Sequence, residues 1–265
     1  MKKKYTIFGH TGFLGKNLTE YLKKKGHKVF LPSKKKYIFK KNLENVIYCI
    51  GTDDVLNNPL KAIDSNLKIL CKVIEKNNFK SFLFISSTRV YLGNKKTKEN
   101  SFIKIDSNNS TFFFNILKLA SENFCLSKKN KKIKVVRISN LYGRYFKKQI
   151  YLLPTLLRQA QNIDTTIIRI NKHSKKNYLD VDCAIPQILK IIDKSKFRIY
   201  NIASNKLYSI KFIIDNLQKK SKFKVIYENQ KIKYDEPRIN IDRVKREFKF
   251  KPKNKFRNFF LNNNY

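Results

Sequence analysis

Apolar residues along this chain fall into short runs, and stretches with helical spacing separate them. The first run, Tyr5-Thr6-Ile7-Phe8, reads as a strand. It leads into the turn Gly9-His10-Thr11-Gly12-Phe13-Leu14-Gly15 and then into the amphipathic stretch Lys16 to Leu22. His27 to Leu31 predicts a second strand stopped by Pro32-Ser33, and Asn45 to Ile50 predicts a buried strand closed by Gly51. From Ala62 to Lys76, the positions Ile63, Leu67, Leu70, Cys71 and Ile74 share one helical face. Ser81 to Ser87 is apolar enough for a central parallel strand. Phe113 to Leu126 predicts a long helix, and Ile133 to Ile138 a further strand. Such alternation implies an α/β fold with a doubly wound parallel sheet and helices on both faces. From about Gln149 the pattern becomes mixed and more basic, punctuated by Pro154, Pro186, Pro237 and Pro252. The chain therefore reads as one unit. Residues 1–148 form mainly the Rossmann-type half, and residues 149–265 add a small C-terminal lobe.

The glycine turn carries the first chemistry. A strand, a glycine-rich turn and a helix in that order bring a helix N-terminus, with its N–H groups and positive dipole end, to where a phosphate can sit. Glycine allows the tight turn and lets the backbone approach a pyrophosphate closely. Gly9, Thr11, Gly12, Phe13, Leu14 and Gly15 are therefore the expected cradle of a dinucleotide. Ligands of open α/β sheets bind beyond the carboxyl ends of the strands. That rule singles out Ser33-Lys34, Ser86 to Tyr91, and Ser139 to Arg144. At Ser33-Lys34 a hydroxyl and a cation stand where a carboxylate would hold an adenosine ribose 2′-hydroxyl. NADP is thus favoured, with NAD left open and an ordinary solvated lysine run as the alternative. The hydroxyls at Ser86-Ser87-Thr88 suit a substrate oxygen, but equally a turn or helix cap.

Composition narrows the setting. The chain has 265 residues, 42% of them hydrophobic, enough for a large core. No apolar run approaches the roughly 20 residues that cross a bilayer, so no membrane partner is expected. The apolar run after Met1-Lys2-Lys3-Lys4 ends at Gly9, too early for a signal peptide, and the expected location is cytoplasmic. Cys49, Cys71, Cys125 and Cys183 lie far apart without metal-ligand spacing. His10, His27 and His173 form no metal set, so no metal site is expected. A formal net charge of +40 would attract any polyanion, yet the lysines are scattered over nearly every segment. Dedicated nucleic-acid binding is accordingly a lesser alternative.

The ordered motifs resemble those of the extended short-chain dehydrogenase/reductases, the NAD(P)-dependent epimerase/dehydratase family acting on nucleotide sugars. The resemblance runs from Gly9/Gly12/Gly15 through Cys49-Ile50-Gly51, Ser65-Asn66-Leu67, the Ser-Ser-x-x-Val-Tyr stretch at Ser86 to Tyr91, and Lys118. It continues through Arg137 to Gly143, Asn177 to Asp182, Tyr200 to Ala203, and Arg238 with Asp242. It implies cofactor contacts from Ile50, Gly51 and Asn66. It also implies a catalytic hydroxyl at Ser87, beside Thr88 on the substrate, and a catalytic lysine at Lys118 that holds the nicotinamide ribose and lowers the pKa of the family's tyrosine. Asn140, Lys176 and Arg238 would hold the diphosphate of a nucleotide-sugar substrate, and a homodimer through two helices is expected. One position departs from the pattern. The family places a tyrosine four residues before the lysine, and here that residue is Phe114. Phenylalanine has no proton to exchange. Thr88-Arg89 likewise replaces the acidic pair of the 4,6-dehydratases. The implied activity is epimerisation or reduction of a nucleotide sugar, with a non-catalytic cofactor-binding protein as the alternative.

Overall fold

The computed structural model describes residues 2–33, 35–52, 54–145, 152–162, 165–219, 221–231 and 234–262. In chain order the elements are β1 (Lys4–Phe8), α1 (Phe13–Lys24), β2 (Lys28–Phe30), β3 (Asn45–Tyr48), α2 (Pro59–Ile63) and α3 (Ile69–Lys76), then β4 (Ser81–Ser87), α4 (Phe113–Ser127) and β5 (Ile133–Ile138). The second half adds β6 (Asn140–Tyr142), α5 (Leu152–Asn162), β7 (Thr166–Ile168), β8 (Lys175–Asp180), α6 (Val181–Lys194) and β9 (Ile199–Ile202). It ends with β10 (Leu207–Ser209), α7 (Ile210–Gln218), β11 (Val225–Tyr227), α8 (Asp242–Phe248) and α9 (Phe256–Asn262).

The main sheet has six strands in the order β2-β1-β3-β4-β5-β9. All five pairings are parallel, with Phe82 opposite Ile133 and Val135 opposite Ile199 fixing the register on both sides of β5. Successive side chains in a strand point to opposite faces, and the two faces have separate cores. Ile7, Ile47, Leu83, Ile85 and Val136 pack with Leu18 and Leu22 of α1 and with Ile185 and Ile188 of α6. Phe8, Val46, Tyr48, Phe82, Phe84 and Val135 pack with Leu70 and Val73 of α3 and Cys125 of α4. Burial of both faces is why these strands read as unbroken apolar runs.

Two features escape the periodicity. Between α2 and α3 the helix widens into a π turn, Asp64–Lys68, which carries the fully buried Asn66. Two further small sheets, β10-β8-β6 and β11-β7, are built from short strands of the second half. They share a core with α5, α7 and α9, in which Tyr178 stacks on Phe256 at 4.7 Å. The second half also returns to the main sheet through β9, so the two halves are interleaved in the sheet.

Strand order reverses between β1 and β3, since β2 lies outside β1 on one side and the later strands follow on the other. At such a switch point the two loops leaving the strands diverge and leave a crevice. The glycine turn and Cys49-Ile50-Gly51 are those two loops.

Candidate active site

Gly9 takes φ +83°, and a Cβ there would stand 2.8 Å from the carbonyl carbon of Cys49. A Cβ on Gly15 would lie 2.2 Å from the Gly9 carbonyl oxygen. The turn therefore folds α1 directly against the loop after β3, and side chains are excluded at both positions. The Gly12 N–H donates to Gly9 O at 3.0 Å, and Gly12 caps α1 without any side-chain hydrogen bond. Its first turn holds no acidic residue, so the positive end of the helix faces the crevice without a carboxylate of its own turn.

Deeper in the crevice three elements converge. An added Cβ on Gly51 would sit 2.7 Å from Asn66 Oδ1 and 3.1 Å from Lys118 Nζ. The Asn66 amide N–H groups are committed to the carbonyls of Thr52 at 2.9 Å and Ala62 at 3.0 Å. Its oxygen is buried and accepts no hydrogen bond among the described residues. A buried carbonyl without a donor costs about 1–3 kcal/mol, so this position calls for a hydroxyl or N–H from a ligand. Lys118, itself buried, points its ammonium at Ile85 O at 3.5 Å and lies 5.1 Å from the Phe84 ring centroid. Burial pushes the neighbouring Cys49 thiol up to about 12, with the Lys118 charge acting in the opposite sense. An orphan acceptor, a cation and a glycine that leaves room between them fit the ribose of a dinucleotide whose phosphates lie on the glycine turn.

Ser87 ends β4 and is half-buried. Its Oγ accepts the Arg89 N–H at 3.1 Å, capping the short 3-10 turn Thr88–Tyr91. The turn cap and the hydroxyl expected to meet a substrate are thus features of one residue. Thr88 is buried beside it. The Arg89 guanidinium donates to Thr111 O at 3.1 Å and lies 5.2 Å from the Phe114 ring. Phe114 faces Arg89 on one hand and Lys118 on the other.

Behind the site runs a buried polar chain that the motifs do not predict. Arg137 of β5 forks onto Glu122 of α4, Nη2 to Oε2 at 2.6 Å and Nε to Oε2 at 3.0 Å. The Ser86 hydroxyl donates to the same carboxylate. Arg137 Nη1 reaches the Tyr91 hydroxyl at 2.6 Å, which in turn donates to Asn201 Oδ1 at 3.1 Å. Burial opposes the Arg137 charge, but the Glu122 carboxylate outweighs it and raises its pKa further. The signal was legible: Glu122 lies one turn beyond Lys118, and Arg137 is a charge inside an apolar strand. The pair ties α4 to β5 and so fixes Lys118 against the end of β4.

Two of the predicted substrate residues, Asn140 and Lys176, meet at one carboxylate. Asn140 stands in β6 beside β8, and its amide bonds Asn177 O at 2.9 Å and the Glu236 carboxylate at 2.9 and 3.0 Å. Lys176 approaches the same carboxylate at 3.6 Å. Arg238 is exposed, and its carbonyl accepts the Thr97 hydroxyl at 2.9 Å. Ser33 follows β2 and is exposed. Lys34 lies outside the described residues. Among the described residues no helix is long and apolar enough to cross a membrane.

A sequence profile of the NAD dependent epimerase/dehydratase family matches residues 5–203, a span that holds the glycine turn, Ser87, Lys118 and Asn140. The chain belongs to this family.

No curated protein sequence matches the chain. Among solved structures, epimerase/dehydratase folds superpose on it almost end to end. MoeE5 in complex with UDP-glucose and NAD has a TM-score of 0.81 at 14% identity, covering 98% of this chain and 96% of its own. RMD from Pseudomonas aeruginosa complexed with NADPH has a TM-score of 0.79 at 18% identity, with 97% of both chains covered. UDP-glucose 4-epimerase of Thermotoga maritima, with UDP-glucose, has a TM-score of 0.77 at 15% identity and covers 94% of both chains. At such identities the likeness establishes the shared Rossmann-like fold of the epimerase/dehydratase family and leaves the substrate to be argued from the site.

Proposed function

We propose that this epimerase/dehydratase-family protein is an NAD(P)-dependent enzyme that epimerises or reduces a nucleotide-linked sugar by hydride transfer at a sugar carbon. The observation that carries the reading is the convergence of Gly51, the orphan oxygen of Asn66 and the Lys118 ammonium in the crevice between the glycine turn and Ser87. A bound nicotinamide would supply the hydride acceptor and donor. The chain's own groups have separate tasks. Backbone N–H groups from Phe13 to Gly15 hold the pyrophosphate at the positive end of α1, while the Gly12 N–H closes the turn onto Gly9 O and Thr11 stands at the exposed rim. Asn66 Oδ1 accepts a ribose hydroxyl, Lys118 donates to the same ribose, and Ile50 and Gly51 form the floor. Ser33, with no carboxylate after β2, favours NADP, although NAD fits the same cradle.

Ser87 is the group that touches the reacting sugar oxygen, with Thr88 beside it. Ser87 Oγ accepts from Arg89 N–H through one lone pair, which leaves its proton and a second lone pair for the sugar oxygen. Since Phe114 brings no phenol, Ser87 relays the proton between that oxygen and water or a neighbouring substrate hydroxyl, giving up its own proton as it takes one. Asn140 and Lys176 hold the substrate's diphosphate, lysine supplying charge without an arginine fork, and Arg238 stands at the edge of that subsite. Complexes of related folds with UDP-glucose support a nucleotide diphosphate sugar as the substrate class. The lobe formed mainly by residues 149–265 gives it a surface, and apolar Ile63 and Ile116, exposed on α2 and α4, suit a second copy of the chain.

Phe114 specifically favours a second reading, a protein that binds both ligands without turnover. Mass spectrometry of the purified protein, followed by incubation with UDP-sugars and analysis of the sugar by NMR, decides between them. Retained NAD(H) with inversion at one carbon is the epimerase result, and consumption of added NADPH is the reductase result. Nucleotide sugars bound yet returned unchanged with either coenzyme would establish the non-catalytic reading.

A further inference from the structure

Three donors from two adjacent strands are aimed at one carboxylate. The Asn140 amide of β6 lies 2.9 and 3.0 Å from the two oxygens of Glu236, and the backbone N–H of Asn177 in β8 lies 2.8 Å from Oε2. The Lys176 ammonium stands 3.6 Å from Oε1. Two neutral N–H groups and a cation around an oxyanion make a binding site for any small anion, because donors that satisfy a carboxylate equally satisfy a phosphate. Here the chain's own glutamate fills it.

Glu236 belongs to a segment laid along β8. Tyr234 N–H donates to Ser174 Oγ at 2.8 Å, and Glu236 N–H to Lys175 O at 2.9 Å. Beyond Pro237 the segment is tied to Thr97, whose hydroxyl donates to Arg238 O and accepts from Asn240 N–H, both at 2.9 Å. Backbone bonds therefore hold the segment on either side of Glu236 independently of its side chain. The side chain keeps 15% of its surface exposed, and its torsions can change between staggered wells without moving the segment's backbone.

We propose that Glu236 is a resident anion in the subsite for the substrate's acidic group, and that a diphosphate-bearing substrate binds there by displacing it. This rests on the reading above only in taking Asn140 and Lys176 as substrate residues. Displacement sets the selectivity of the subsite. A monoanion of modest charge does not replace Glu236, whereas a diphosphate does, because Lys176 gains more from the higher charge. Glu236 is then a specificity-determining residue that weakens binding of every competing anion.

The test is calorimetric titration of the coenzyme-saturated protein with UDP as the probe, comparing wild type with E236Q and E236A. Glutamine keeps the length and the bond from Asn177 but carries no charge, so it reports even if alanine loosens the segment. Both variants should bind UDP at least tenfold more tightly, and adding K176A should erase most of the gain. Equal or weaker UDP binding in both variants, with coenzyme binding unchanged, overturns the resident anion and leaves the enzyme reading standing. If neither wild type nor variants bind UDP at all, the subsite and the nucleotide-sugar reading fall together.

Discussion

The Phe114 ring centroid lies 5.7 Å from the Lys118 ammonium, one helical turn away on the same face of α4. That is the reach of a cation over an aromatic face, and it means that the lysine is held beside a ring that has no proton to give. Phe114 thus offers Lys118 a ring face and no hydroxyl.

Restoring a phenol here should therefore restore acid–base help. F114Y is expected to raise kcat by about 10²-fold or more, the usual worth of a positioned proton donor, with little change in coenzyme affinity. Steady-state turnover of the nucleotide sugar that gives the highest basal rate checks it. An unchanged kcat in a variant that still binds coenzyme would show that Ser87 does not depend on a partner at this position.

The glycine turn leaves no room for side chains. G15A would drive a methyl into the Gly9 carbonyl at 2.2 Å, and the start of α1 must shift to relieve it. Coenzyme binding should be lost, while far-UV circular dichroism stays close to wild type and the melting temperature falls. A G15A protein that binds coenzyme normally would mean that the phosphates sit elsewhere.

Glu122 and Arg137 are nearly sealed from solvent, with side-chain exposures of 2% and 6%. Removing one partner strands the other charge. E122A should cost about 3–5 kcal/mol of stability in urea denaturation. Because Glu122 ties α4 to β5, a milder E122Q should raise the KM for coenzyme more than it lowers kcat. Equal effects on both would place the pair outside the positioning of Lys118.

Burial raises the Cys49 thiol to about 12 and moves the Cys125 thiol upward as well. A thiol whose pKa is higher folded than unfolded holds its proton more tightly in the native state. Its contribution is complete below the unfolded value of about 8.5 and is lost as pH rises towards the folded one. Denaturation at pH 7.5 and 9.5 should show stability falling with pH, and C49A should fall less steeply. Folded protein at pH 8 should resist iodoacetamide at Cys49.

How much of this was legible in the chain depended on whether the signal was local. Strands β1, β3, β4 and β5 and helices α1 and α4 were readable because burial on one or both faces writes itself as an apolar run or a 3.6-residue period. The glycine turn was readable because its steric demand admits few residues. The three-residue strands β6, β7, β10 and β11 were not, since pairing such as Asn140 with Tyr178 is decided by partners far along the chain. The π turn that buries Asn66 leaves no mark in the periodicity of Ala62 to Lys76. Asn140, which as a lone residue reads equally as a turn former, is a strand residue whose amide is engaged by Glu236. Glu236 itself lies in a polar stretch without pattern, and only three-dimensional contact reveals its partners.

A dinucleotide lying across the mouth of α1 underlies every role assigned to these residues. Titration calorimetry of the wild-type protein with NAD, NADH, NADP and NADPH tests this directly. Saturable one-to-one binding of at least one coenzyme, tighter for the 2′-phosphorylated forms and abolished in G15A, is the predicted result. The absence of heat with all four, in protein that melts cooperatively, would contradict the cofactor site and the enzyme built on it.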